Sequence, residues 1–278
     1  MVDARAQAAL AHVRALSRGG QIDPNASVTI HFHPDAPFGD TTVIESLARE
    51  GIYRSQFETG TGNGGLTAVP GGDRYLWESR LFGGHYDDAE AALRPKYWSL
   101  DLRRDGFGGS PRFGSSYLRL NPAVLQRSTF CFPDSVFGPT HFGTARRFGI
   151  PEPKGINPSR DPLDDYIEAH VHGVLELRRD VEAIVLDPSY RGTPIEAAAR
   201  KLGCPVHWHQ GFAATGTMLH QPGYRGKGPA ELASRLAGDG ELDPSGLGHA
   251  RLRPGLDPQE LKKVWHLLAR YGRKPGGP

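Results

Sequence analysis

Six short runs of strand-forming residues crowd the middle of the chain: SVTIHFH (27–33), RFGSSYLRL (112–120), STFCF (128–132), YIEAHVHG (166–173), VEAIVLD (181–187) and PVHWH (205–209). Runs of this length, rich in β-branched and aromatic residues, read as strands that must pair with one another to satisfy their edges. Helical patterns flank them without the regular alternation that an eight-fold βα barrel demands. The pattern is α+β, a mixed sheet with flanking helices.

The helices are marked by their ends. MVDARAQAALAHVRALSRGG predicts a helix to about Ser17, stopped by Gly19-Gly20. In DTTVIESLAREG, Thr42 and Glu45 make a capping box, Val43, Ile44 and Leu47 share a face, and Gly51 closes the helix. Thr193 and Glu196 repeat the box in TPIEAAARKLG, with Pro194 at the first helical position. Two further helices are expected at Pro229–Ala237 and Asp257–Arg270, and a short one at Asp88–Leu93. IYRSQF (52–57) reads as a short strand, and no element is assigned between Pro133 and Asp165, where proline and glycine recur. The expected organisation is an N-terminal helix at 1–26, a catalytic domain at 27–210 and a helical extension at 211–278 packed on that domain.

Composition sets outer limits. With 33 basic and 31 acidic residues the formal charge is +2, so overall charge neither forces nor excludes a nucleic-acid partner. Two cysteines, Cys131 and Cys204, are too few for a disulfide framework; Cys131, with no obvious base beside it, reads as a buried thiol. No apolar run reaches the roughly 18 residues of a membrane span, and the N-terminal segment lacks the apolar core of a secretory signal. The expectation is a cytoplasmic protein with no membrane partner.

Gly60-Thr-Gly-Asn-Gly-Gly65 spells G-x-G-x-x-G, the cradle of a dinucleotide pyrophosphate. That cradle requires the glycine turn to run straight into a helix whose N-terminus faces the phosphates. Here LTAVPGGD follows, and Pro70, Gly71 and Gly72 deny the turn its helix. The segment is expected to be a loop beside a ligand.

Three His-x-His pairs, His31/His33, His170/His172 and His207/His209, fall in predicted strands. Residues two apart on a strand share a face, so each pair offers two imidazoles to one metal, with Asp35 or Asp187 as a carboxylate ligand. That is the reading of a metal-dependent hydrolase. The competing reading is of core histidines with satisfied hydrogen bonds.

A different succession runs through the same segments. A strand ends in His31 or His33, and the helix IESLAREG closes on IYRS. The turn FGGHYDD then leads through a small helix to RPKYWSL, and a late strand, YIEAHVHG, carries a glutamate. This order resembles the ADP-ribosyltransferase superfamily, in particular its His-Tyr-Glu branch typified by the poly(ADP-ribose) polymerases. The resemblance implies split mixed β-sheets with flanking helices and NAD as co-substrate. It implies mono-ADP-ribosyl transfer to a macromolecular acceptor, nucleic acid or protein, with nicotinamide released and no metal assigned. It maps Glu168 onto the catalytic carboxylate, His31 or His33 onto the ribose contact, and Tyr86 and Tyr97 onto the rings around nicotinamide. Arg54, Arg80 or Arg94 would meet the pyrophosphate, and Gly60 and Gly62 would lie beside the ligand. The branch usually carries glycine after its histidine, where this chain has Phe32 or Pro34. A third reading keeps NAD or ADP-ribose as a ligand without turnover. The blocks HFHPD, YRSQFETGT, WESRLFGG, RPKY and DVEAIVLDPSYRGT are also similar to those of an uncharacterised bacterial family, over about residues 27–210.

Overall fold

In the computed structural model, which describes residues 2–60, 68–153 and 160–274, the strands assemble into one nine-stranded sheet. They are β1 (Ser27–Phe32), β2 (Lys96–Asp101), β3 (Ser116–Leu120), β4 (Ser128–Phe132), β5 (His141–Thr144), β6 (Arg147–Phe148), β7 (Ile167–Val171), β8 (Val181–Leu186) and β9 (Val206–Trp208). Their order across the sheet is β9-β8-β3-β1-β2-β7-β4-β5-β6. All neighbours run antiparallel except β8 and β9, which run parallel.

Alternation along the strands sorts the two faces. Val28 and Ile30, Leu118, Phe130, Ile167 and Ile184 join one apolar core. The opposite face carries a polar row, because register sets Thr29 opposite Ser99, Ser99 opposite Glu168, and Glu168 opposite Cys131. The next row holds His31 opposite Tyr117, and His170 between Tyr97 and Thr129. All six residues of β1 are buried, since both faces are covered.

The two central strands then separate. β1 pairs with β2 only from Ser27 to Thr29; beyond that β1 follows β3 as far as Phe32, while β2 follows β7 through Tyr97 and Lys96. At the fork the Thr29 hydroxyl lies 3.2 Å from the Ser99 hydroxyl and accepts the Gly109 amide at 2.9 Å. The fork opens the sheet at its middle, where Thr29, Ser99 and Glu168 line a cavity.

Seven α-helices of six or more residues surround the sheet among the described residues: α1 (Ala4–Leu16), α2 (Val43–Glu50), α3 (Asp73–Phe82), α4 (Pro194–Ala199), α5 (Lys227–Ala237), α6 (Pro244–Arg251) and α7 (Pro258–Tyr271). Both halves of the predicted Thr42/Glu45 capping box form, and Gly51 takes the left-handed conformation (φ 68°) that ends α2. Ile44 and Leu47 of α2 and Ala198 and Ala199 of α4 cover the apolar face of the sheet. Helices α5 to α7 enclose a second core that also takes in Phe107 and Leu163.

Several expectations are corrected. Thr193 and Glu196 do not form a box: the Thr193 hydroxyl donates to the Tyr190 carbonyl, and Glu196 accepts the Gly192 amide. The strand IYRSQF stops at Tyr53, and Ser55 and Glu58 cap a helical turn at Gln56–Thr59 instead. The helix placed at Asp88–Leu93 is only a 3-10 turn, Ala91–Leu93, and the true helix of that region is α3. Residues 61–67, with most of the GTGNGG segment, lie outside the described residues; after Pro70 and Gly71, α3 starts with Gly72 as its cap. Strand β2, the β5–β6 hairpin and α6 arise where no element was expected.

Candidate active site

A cavity of about 540 Å³ opens at the fork between β1 and β2. Thr29, His31 and His33 line it from the β1 side, Tyr97 and Ser99 from β2, and Glu168 from β7. Helix α3 adds Arg74 and Trp77, α7 adds Lys262, and the segment after β4 adds Asp134 and Ser135. Thr29, Ser99 and Glu168 reach it from the polar face of the sheet, and Phe32 and Trp98, from the apolar face, line it too.

Glu168 is held by three hydrogen bonds. Its Oε1 meets His170 Nε2 at 2.7 Å, and its Oε2 accepts the Ser135 amide at 3.3 Å and the Ser135 hydroxyl at 3.1 Å. Burial pushes its pKa up, but the His170 bond and charge, Arg74 and the Ser135 amide outweigh it and hold the carboxyl below its usual range. Asp134 goes the other way. Burial first, then the charge of Glu168, raise it, against a hydrogen bond from the Tyr166 hydroxyl at 2.5 Å. Two carboxyls that share a cavity wall are thus driven apart, one toward the ionised and one toward the protonated form, the arrangement of an acid–base pair.

Behind Glu168 runs a buried chain of hydrogen bonds. Thr129 Oγ1 lies 3.1 Å from His170 Nδ1 and 3.0 Å from His172 Nε2, and His172 Nδ1 lies 2.8 Å from the Tyr86 hydroxyl. With His170 neutral, the donors all point toward Glu168: Tyr86 O–H to His172, His172 N–H to Thr129, Thr129 O–H to His170, His170 N–H to the carboxylate. Burial, first, and the charges of His170, Arg127 and Lys96 push His172 well below the usual histidine pKa, which keeps it neutral.

Tyr86, expected beside the ligand, is the far end of this chain. It is fully buried in a cluster with Ala6 and Ala9 of α1 and Phe82 of α3, away from the cavity. Tyr97 does reach the cavity. Its hydroxyl donates to Glu78 Oε2 at 2.9 Å, and the Arg74 guanidinium lies 4.8 Å from its ring centre. Arg74 also stands over Trp77, and its Nε has no hydrogen-bond partner among the described residues.

Of the two candidate histidines, His31 is fully engaged. Its Nε2 accepts the Ser110 amide at 3.2 Å, so its Nδ1 carries the hydrogen that meets the Gly114 carbonyl at 3.3 Å. His33 stands edge-on to Trp265, with ring centres 4.8 Å apart, and its buried Nδ1 has no partner. Burial, first, drives both pKa values down, that of His31 to about 3. Arg54 reaches the cavity rim but pairs with Glu50 at 2.9 Å. Arg80 is exposed on α3 and is not among the lining residues; Arg94 pairs with buried Glu78 at 2.5 Å. Gly60 ends the Gln56–Thr59 turn with φ 62°, and Gly62 lies outside the described residues. Arg74, Asp134, Ser135 and Lys262 escaped sequence reading, since no motif connects four residues from three separate segments.

The His-x-His pairs do not converge. His31 and His209 are held by backbone groups, His209 through Ser115 O at 2.7 Å and the Gly211 amide at 2.9 Å, while His170 and His172 belong to the chain behind Glu168. Among the described residues, Cys131, Glu168 and His170 place ligand atoms within 4.8 Å of one another. The fit to a metal is poor: the His170 nitrogen is spent on Glu168, and burial, then the charges of Glu168 and Asp134, hold the Cys131 thiol well above its usual pKa. Cys131 Sγ lies 4.0 Å from His170 Nε2, so the thiol has an imidazole neighbour that its sequence context did not announce.

The chain belongs to the DUF3626 family of proteins of unknown function, whose model matches residues 27–150 and 155–271. The match continues well past residue 210, so helix α7, which contributes Lys262 to the cavity wall, is part of the shared sequence. No curated protein matches the chain.

Proposed function

We propose that this protein is an NAD-consuming mono-ADP-ribosyltransferase, which moves ADP-ribose from NAD to a macromolecular acceptor, nucleic acid or protein, and releases nicotinamide. The observation that carries the reading is the meeting of His33, Tyr97 and Glu168 on one cavity, although they come from three segments distant in the chain. Cleaving the bond between nicotinamide and ribose builds positive charge on the sugar, which a carboxylate held ionised, as Glu168 is, stabilises. Tyr97 and Trp77 supply aromatic walls for the nicotinamide ring, and the unpartnered Nε of Arg74 supplies a donor for the pyrophosphate. His33, with its free nitrogen, is the imidazole assigned to the ribose. Asp134, biased toward its protonated form, stands beside Glu168 for proton exchange with the acceptor.

Nicotinamide release from NAD, measured with candidate acceptors present, tests the reading. Glu168→Gln is expected to lower that release by about 100-fold while NAD binding, followed by calorimetry, changes little. Absence of both binding and turnover sinks the proposal, and binding without turnover sinks its catalytic part.

A further inference from the structure

Helix α7 contributes Lys262 to the cavity wall and brings with it an unbalanced group of charges. Lys262 lines the cavity, half-buried, and among the described residues it has no acidic partner. Arg112, also on the lining, pairs with Asp164, and Arg225 pairs with Asp161. Asp161 further accepts the Tyr224 hydroxyl at 2.8 Å and faces Arg270 at 3.9 Å. Four cations therefore stand around two carboxylates, both already bonded. In their midst is His266, only 3% exposed, with neither ring nitrogen hydrogen-bonded. Arg225, Arg112, Lys262 and Asp161 all lie close enough to act on its charge.

A buried polar ring without partners and a half-buried cation without a counter-ion both cost free energy. Each deficit is removed by an anion from solution. We infer that the α7 end of the cavity is a binding site for the phosphoryl group of a substrate, held by Lys262, Arg112 and a His266 N–H. A phosphoryl dianion supplies the counter-charge that Lys262 lacks among the described residues. Its three free oxygens also match three separate donors, where a carboxylate would leave one donor unmet. The inference goes beyond the NAD reading and stands without it, since it rests on charge balance and the unbonded imidazole.

The test is calorimetric titration of the full chain with inorganic phosphate and with pyrophosphate, against chloride at matched ionic strength. Saturable binding of one anion per chain is expected, weakened about tenfold by Lys262→Gln and unchanged by Arg80→Gln, which removes an exposed cation that is not on the cavity lining. In the unmodified protein, phosphate should also shift the ring resonances of His266, a measurement that needs no folded variant. The inference is overturned if neither anion binds saturably, if Lys262→Gln binds as the wild type does, or if the His266 resonances do not move. Phosphate binding retained in a protein that never turns over NAD would uphold this site and remove the transferase reading.

Discussion

Glu78 has no exposed surface, yet it carries a carboxyl between Arg94 and the Tyr97 hydroxyl. Burial raises its pKa to about 7 from the ordinary 4.5, with Arg94 and Tyr97 pulling against the rise. A carboxyl raised in the folded state favours folding while it is protonated. Its contribution is full below pH 4.5 and is lost as pH climbs through 7. The shift corresponds to roughly 3 kcal/mol between those limits. Urea unfolding across that range should show stability falling with pH, and Glu78→Gln should flatten the slope. An unchanged slope in the variant would refute the assignment. Because Glu78 also holds Tyr97, the same titration reaches the aromatic wall of the cavity.

At the scale of elements, helix α2 is the clearest case of local control. Thr42 and Glu45 exchange side-chain and backbone bonds at its start, and the hydrogen bonds from Thr41 and Thr42 lower the Glu45 pKa to about 2. Thr42→Ala should cost about 1 kcal/mol in urea unfolding, with little change in the slope that reports exposed surface. A cost below roughly 0.3 kcal/mol would mean that packing of Ile44 and Leu47 alone holds the helix. Helix α3 was illegible for the opposite reason. Its buried face includes Glu78, so its apolar spacing is broken by a charge that only Arg94 and Tyr97, from another segment, make tolerable. Strand β2 was missed because its run begins with the buried cation Lys96, whose ammonium donates to the Ala92 and Arg94 carbonyls.

At the scale of the molecule, helix α7 contributes Lys262 to the cavity wall. Trp265 of α7 is almost completely buried and donates from Nε1 to the carbonyls of Pro111 and Arg112, at 3.0 and 3.1 Å. It thereby ties α7 to the segment that carries Arg112 to the cavity wall. Trp265→Phe keeps most of the apolar volume but strands two carbonyls, and should destabilise by about 1–3 kcal/mol. Limited proteolysis should then cut between residues 211 and 257 faster than in the wild type; equal rates would show that apolar packing alone fastens the helix.

By itself the sequence determined the elements whose causes are local: six of nine sheet strands from their alternation, and α2 from its caps. It also singled out His31, His33, Tyr97 and Glu168, which line one cavity. Only tertiary structure decided that β1 and β2 part after Thr29, that Tyr86 ends a hydrogen-bond chain behind Glu168, and that Arg74, Asp134 and Lys262 complete the walls. The physical reason is one of range. Caps, turns and alternation are set by residues a few positions apart, whereas the charge state of a carboxyl and the partner of a buried imidazole depend on groups that folding brings from anywhere in the chain.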